Sequence, residues 1–312
     1  MTTVNKSWKF EKWNDQELVI SRDLPKEFSM QQALFYLTRS VHEILHRVQD
    51  DKVYKLILIE GRPVLIEVGA TENHRLEIRF VHGIPQPATR MFAAGYVWDW
   101  LDLETDLSLF YQMAEADPLL HKLAKQHYGL RIVGIPDLFE AICWAIMGQQ
   151  INLNFAYILK KRFVESFGTY LDWEGQRYWL FPAIQQIAKL SVEDLTKLQI
   201  TGKKAEYMIA LAKLMEKGDL SKQQLINMGD FKAAEKALVS IRGIGSWTAN
   251  YVLMRCLRNA AAFPIEDAGL HNALKLQLQL DKKPTLEEIR KHAAGWTNWE
   301  AYATFYLWKS LD

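Results

Sequence analysis

Residues 240–256, "SIRGIGSWTANYVLMRC", set Gly243 and Gly245 one residue apart and pass at once into a segment with helical spacing of apolar residues. The preceding segment, "DFKAAEKALVSI" (230–241), has the same spacing, so the glycines stand in the turn of a helix-hairpin-helix. Glycine there permits a positive φ and a close approach of the backbone to a bulky neighbour. The turn also leaves the first N–H groups of the second helix without intrahelical acceptors and pointing outward. With the positive end of the helix dipole, those donors suit a phosphate. A plain tight turn between packed helices uses glycine equally well. The spacing alone leaves open whether the backbone closes on another helix or on a ligand.

Beyond the second helix, "AAAFPIEDAGLHNAL" (260–274) is a Pro-bearing loop that delivers Glu266 and Asp267 to the start of another helix. Asp267 is well placed as an N-cap. A carboxylate just past a phosphate-binding hairpin would also lie near a sugar, and carboxylates stabilise oxocarbenium-like transition states. Glu266 reads as solvated, and His271, one turn on, as a helix-surface residue. Trp247 and Tyr251 are four residues apart, on one helix face. They serve either as core or as the walls of a slot for a flat ligand.

The chain has 312 residues, 49% hydrophobic and 24% charged, enough for two or three domains with a sizeable core. A net charge of +1 gives no global sign of a polyanionic partner. A local basic face is expected from Lys203, Lys204, Arg242 and Arg255. Cys143 and Cys256 make no disulfide framework and no zinc or iron–sulfur spacing. The N-terminus "MTTVNKSWKFEKWNDQ" has no apolar core after its lysine, and no run approaches the roughly 20 apolar residues of a membrane span. The expectation is a soluble, cytoplasmic protein with no membrane contact.

The two ends differ in pattern. Short β-branched or aromatic segments at 7–13, 17–22, 53–60, 62–70 and 75–81 read as strands, with a hairpin around Gly61. A helix opened by Ser29 is expected over 29–48, and a loop over 82–95; Trp8, Trp13, Trp98 and Trp100 read as core. This predicts an α+β domain over 1–112 with an antiparallel sheet. Residues 113–312 read as all-α, with helices opened by Asp137 and by Asn152, the latter stopping at Gly168.

The ordered set "AIMGQQIN" (145–152), "ITGKKAEY" (200–207), "IRGIGSWTANYVLMR" (241–255) and "FPIEDAGLHNAL" (263–274) resembles the helix-hairpin-helix (HhH-GPD) DNA glycosylase superfamily, and within it the alkylbase-excising branch. The resemblance covers residues from about 115 to the end. It implies two helical subdomains flanking a cleft, preceded by a TATA-binding-protein-like domain. It implies Asp267 as the catalytic carboxylate and Trp247, Tyr251, Trp299 and Gln149 as the base pocket. Gly243, Gly245 and Thr248 would hold a DNA phosphate. The carbonyls of Val239, Ile241 and Ile244 would hold a monovalent cation, Na+ or K+. Gln150 stands at the wedge position, which is apolar in that branch and glutamine in other members.

Bifunctional members place a lysine directly before the Thr-Ala of the second hairpin helix; here that residue is Trp247. The resemblance therefore implies hydrolysis without strand cleavage. It also implies double-stranded DNA with damaged bases as partner, a monomer, no required cofactor and no iron–sulfur cluster. Two alternatives stand beside it: a glycosylase for oxidised or deaminated bases such as 8-oxoguanine, and a non-catalytic DNA-binding module.

Overall fold

The computed structural model describes residues 12–311. The segment expected as a strand over 7–13 falls outside them but for Lys12 and Trp13, as does Trp8.

The N-terminal region holds β1 (Asn14–Asp15), β2 (Val19–Asp23), α1 (Met30–Leu37), β3 (Arg47–Gln49), β4 (Lys52–Ile59), β5 (Arg62–Ala70), β6 (Arg75–Phe80) and α2 (Pro87–Trp100). The strands form one antiparallel sheet in the order β1-β2-β6-β5-β4-β3. The β4–β5 turn has Glu60 and Gly61 both at positive φ (49° and 77°), the geometry that matches strand twist in a two-residue hairpin. Ser29 caps α1 as expected, accepting from the Gln32 N–H at 3.3 Å.

Two expectations fail here. The helix expected over 29–48 ends at Leu37. The Thr38 hydroxyl bonds back to the Leu34 and Phe35 carbonyls, each at 3.1 Å, and the Glu43 carboxylate accepts the N–H groups of Ile44 and Leu45 at 2.9 and 2.8 Å. These local bonds offer the backbone an alternative to the helical ladder. The loop expected over 82–95 is instead largely α2. Pro87 stands in its first turn, where a missing N–H costs nothing, and Arg90 is held by Asp15 through three contacts of 2.7–3.1 Å.

The remainder holds α3 (Ser108–Ala116), α4 (Leu120–Gln126), α5 (Leu138–Gly148) and α6 (Leu153–Phe167). After these come β7 (Thr169–Trp173), β8 (Gln176–Leu180), α7 (Ile184–Ile187), α8 (Val192–Thr196), α9 (Gly202–Glu216), α10 (Lys222–Asn227) and α11 (Phe231–Val239). The last four are α12 (Ser246–Arg255), α13 (Ala268–Gln277), α14 (Leu286–His292) and α15 (Glu300–Lys309). Asp137 and Asn152 cap α5 and α6, and Gly168 ends α6, as expected.

The β7–β8 hairpin is an addition to a region expected to be helical throughout. It folds back onto the N-terminal sheet, burying Tyr178 with Leu56 and Leu65. A single cluster of buried apolar side chains, from Ile20 to Leu307, runs through both regions. The two regions therefore share one core.

Candidate active site

The hairpin forms where the glycines fall. Asp230 caps α11, α12 begins at Ser246, and Gly243 turns the chain with φ +94°. A Cβ on Gly243 would lie 2.3 Å from Cγ of Tyr207 on α9, so this glycine is required by a neighbouring helix. Gly245 differs: φ is −90°, nothing lies within 4 Å of its Cβ position, and it is exposed. It caps α12 without a side chain, leaving the first-turn N–H groups with no capping oxygen. One glycine closes on a helix and the other faces open space.

Asp267 caps α13, its Oδ1 accepting from the Leu270 N–H at 2.7 Å. The same Oδ1 accepts from Trp308 Nε1 at 2.7 Å, and Oδ2 accepts from Trp247 Nε1 at 2.9 Å. A carboxylate offers about four lone-pair sites, so one remains, on Oδ2. The three donors fix the carboxyl plane and leave that one acceptor site to a substrate or a water. The side chain is otherwise enclosed, at 9% exposure.

The two tryptophans that bond this carboxylate both pack against Tyr251. The Trp247 and Tyr251 rings lie 5.5 Å apart at 31°, and Tyr251 and Trp308 6.3 Å apart at 34°. Trp247 and Trp308 are half-buried, whereas Tyr251 is buried. Burial raises the Tyr251 hydroxyl above its ordinary value, with the Arg255 guanidinium opposing. Asn250 ties the hairpin to the loop before Asp267: its Nδ2 donates to Glu235 on α11 at 2.7 Å, and its Oδ1 accepts from the Phe263 N–H at 3.0 Å.

Several expected site residues lie elsewhere or act differently. The Trp299 ring packs on Phe110 and Tyr302, at 5.8 Å from each, and does not reach Asp267. Trp308 takes that place. It is nine residues on, two and a half helical turns, so the two tryptophans point to opposite sides. Gln149 braces the hairpin, its Nε2 donating to the Gly243 carbonyl at 3.0 Å and to Thr248 Oγ1 at 3.1 Å. Thr248 is buried, so its hydroxyl faces this brace and not a phosphate.

The basic face is also smaller than expected. Arg255 is buried, donating to the Val133 carbonyl and the Tyr251 hydroxyl. Lys204 is buried too, its Nζ on the carbonyls of Met147 and Gln149 at 2.9 and 2.7 Å. Burial lowers its pKa. Lys203 and Arg242 remain exposed, and Arg242 pairs with Glu206 at 3.3 Å. By clamping the end of α5, Lys204 presents Gln150, which is exposed with φ +57°. A left-handed non-glycine costs about 1–3 kcal/mol. Glu266 is exposed, as expected, and the His271 ring bonds the Ile265 carbonyl at 2.8 Å.

Missed altogether were Trp308, Asn250, Lys204 as a brace, and Tyr207. Only Trp308 had a sequence signal, as one more tryptophan in the aromatic C-terminal helix; the others look like ordinary helix residues.

The family model described as "HhH-GPD superfamily base excision DNA repair protein" matches residues 143–298, and that of the 8-oxoguanine DNA glycosylase N-terminal domain matches residues 25–142. A DNA-3-methyladenine glycosylase of Bacillus subtilis is 46% identical over 302 residues, covering 96% of this chain and 99% of its own. Among solved structures, a 3-methyladenine DNA glycosylase of Archaeoglobus fulgidus superposes with a TM-score of 0.80 at 23% identity, over 92% of this chain and 96% of its own. An 8-oxoguanine glycosylase/lyase of Clostridium acetobutylicum, in complex with double-stranded DNA, does so at 0.74 and 16% identity, over 96% of each chain. At those identities the likeness is one of fold.

Proposed function

The chain belongs to the HhH-GPD superfamily of base excision DNA repair proteins, and from that membership we propose that it is a monofunctional DNA glycosylase for alkylated purines of the 3-methyladenine and 7-methylguanine type. The observation that carries the proposal is Asp267, held by the N–H groups of Trp247 and Trp308 with one acceptor site left over. The kinship with the Bacillus subtilis glycosylase supports the substrate class.

The chemistry follows from the parts. A damaged base must leave the helix stack at a cost of a few kcal/mol. Stacking on an aromatic wall returns about 1–3 kcal/mol. A cationic alkylpurine gains a further ~0.5–2 kcal/mol over an electron-rich ring. Trp247 and Trp308 have the exposure for this, and Tyr251 packs against both. A cationic base leaves without prior protonation. The work left to Asp267 is to orient the attacking water or to stabilise positive charge developing on the deoxyribose. No amine stands at the position of Trp247, so the sugar is not opened and the strand stays intact.

Gly243 and Gly245, with the uncapped start of α12, would seat a phosphate, and Gln150 would fill the gap left by the flipped base. The hairpin carbonyls of Val239, Ile241 and Ile244 would hold Na+ or K+, whose charge would offset that of the phosphate. Hard carbonyl oxygens suit such a cation, and these three residues line one open depression of about 470 Å³. No other cofactor enters the proposal. The protein would act as a monomer, in the cytoplasm, on double-stranded DNA. No helix among the described residues is long and apolar enough to cross a membrane.

The test is base release from DNA methylated in vitro, comparing the wild type with Asp267→Asn. The expected result is release of 3-methyladenine or 7-methylguanine by the wild type alone, with the backbone intact until alkali is added. Release only from an 8-oxoguanine duplex would move the protein to the oxidised-base class. Binding with no release from either DNA would make it a binding module.

A further inference from the structure

A small chamber of about 40 Å³ lies between the N-terminal and helical regions. Its charged lining consists of Arg39, Glu43 and Lys55 from the first and Glu140, Lys160 and Arg255 from the second. Four cations thus face two carboxylates, and both carboxylates lie on the same cation. Lys160 Nζ is 2.7 Å from Glu43 and 3.9 Å from Glu140. Lys55, Arg255 and Arg39 make no ion pair among the described residues. Arg39 is half-buried, so water screens part of its charge, but Lys55 and Arg255 are 6% and 3% exposed. Asp137, the next carboxylate toward Lys55, is occupied in capping α5 and does not line the chamber. The His46 ring bonds the Leu37 carbonyl at 2.9 Å, and burial holds its pKa down at about 4, so it adds no charge at neutral pH. Burial pushes the Glu140 carboxyl up, a direction that widens the positive excess.

Donors are left over as well as charge. Arg255 is served by the Val133 carbonyl and the Tyr251 hydroxyl. The Lys55 ammonium has three N–H groups and one acceptor among the described residues, the Leu45 carbonyl at 3.3 Å, with the Trp100 ring centroid 5.3 Å away. The Tyr36 hydroxyl, also in the lining, is buried without a hydrogen-bond partner. The chamber has room for a water or an ion of similar size. A water would accept from these donors and leave the charge unbalanced, and a buried charge without a counter-charge is costly. A small anion answers both needs.

We propose that this chamber is a binding site for a small monovalent anion, chloride, held by Lys55 and Tyr36 in the field of Arg255 and Arg39. Chloride is little larger than a water and accepts from several donors at once, whereas a phosphate exceeds the space. The lining comes from both regions, so the ion fastens one to the other and its binding adds to the stability of the fold. The site shares no lining residue with Asp267 and its two tryptophans, and the proposal stands whichever base the protein releases. The competing way to remove the excess is loss of the Lys55 proton, toward which burial pushes it.

The experiment is thermal unfolding of the wild type and Lys55→Met in sodium chloride and in sodium gluconate of equal ionic strength. Gluconate is too large for the chamber, and the Met variant keeps the apolar stem while removing the ammonium. With chloride about tenfold above its dissociation constant, the wild-type midpoint should stand about 2–4 °C higher than in gluconate. Lys55→Met should melt alike in the two salts. Anomalous diffraction from wild-type crystals grown in sodium bromide gives a second readout that does not depend on the variant folding. A bromide within hydrogen-bond reach of Lys55 Nζ and the Tyr36 hydroxyl is the expected result. Equal wild-type midpoints in the two salts would overturn the proposal, in favour of a neutral Lys55. A difference that persists undiminished in Lys55→Met would assign the ion to the surface, and a chamber without bromide would assign it to water; either result overturns the site.

Discussion

Asp267 carries three hydrogen bonds that an asparagine reproduces only in part. The amide oxygen of the substituted side chain would still accept from Leu270 and Trp308, preserving the cap, but its NH₂ group would face the N–H of Trp247, donor against donor. Asp267→Asn should therefore fold, abolish base release and free the Trp247 ring, visible as altered tryptophan fluorescence. Trp308→Phe separates stacking from carboxylate orientation, since it keeps an aromatic ring and loses the N–H. A hydrogen bond to a charged group contributes about 1.5–3 kcal/mol, so we expect kcat to fall roughly tenfold to a hundredfold. Release kinetics on a single-lesion duplex would check this; an unchanged rate would mean that Trp247 alone holds the carboxylate. The sequence marks Trp308 only as one more tryptophan near the C-terminus, because helix phase, and not residue type, separates it from Trp299.

At the scale of elements, the two hairpin glycines make a paired test. Gly243→Ala sets a methyl 2.3 Å from the Tyr207 ring at a φ of +94°, and should destabilise the protein by roughly 2–4 kcal/mol. Gly245→Ala meets nothing within 4 Å at a φ that any residue adopts. It should leave the unfolding free energy within about 1 kcal/mol and weaken DNA binding by crowding the α12 N-terminus. Thermal melts and fluorescence anisotropy with an abasic duplex would separate the two. Equal effects on both readouts would mean that neither glycine faces DNA. The existence of both hairpin helices was legible from periodicity and punctuation. The end of α1 was not, because Thr38 and Glu43 stop it through side-chain bonds that a periodic pattern does not reveal. Pro87 reads as loop punctuation along the chain, yet in the fold it opens α2.

Across the whole molecule, the N-terminal region is joined to the helical region by a buried ion pair as well as by the common core. Glu43 and Lys160 meet at 2.7 Å, each side chain 8% exposed, with Glu140 at 3.9 Å from the same ammonium. Burial pushes the Glu43 carboxyl up, but Lys160, His46 and the Leu45 N–H more than offset this and hold it at about 2. The folded value lies below the ordinary 4.5, so the pair stabilises the protein fully above pH 4.5 and loses that contribution as pH falls toward 2. Burial raises Glu140, whose contribution runs the other way. Glu43→Gln should cost about 3–5 kcal/mol at neutral pH, because it strips a buried ammonium of its nearest carboxylate. The variant should lose less stability than the wild type between roughly pH 5 and pH 3. Urea melts at both values would show it, and parallel acid limbs would refute it.

By itself the sequence determined the local grammar: strands at the start, helices after, a glycine turn between two helices, and an aspartate capping the helix that follows. Those features are written in propensity, spacing and capping chemistry, which act between residues close along the chain. The aromatic pair Trp247 and Tyr251 was legible for the same reason, being one turn apart on one helix. Only the tertiary structure decided which tryptophan reaches Asp267, that Gln149 and Thr248 brace the hairpin, and that Lys204 and Arg255 are buried. Nor could local pattern place Arg39, the β7–β8 hairpin or the Glu43–Lys160 pair at the interface of the two regions. Each of these depends on contacts between residues tens to more than a hundred positions apart. Such contacts are fixed by packing the shared core, and no local pattern encodes them.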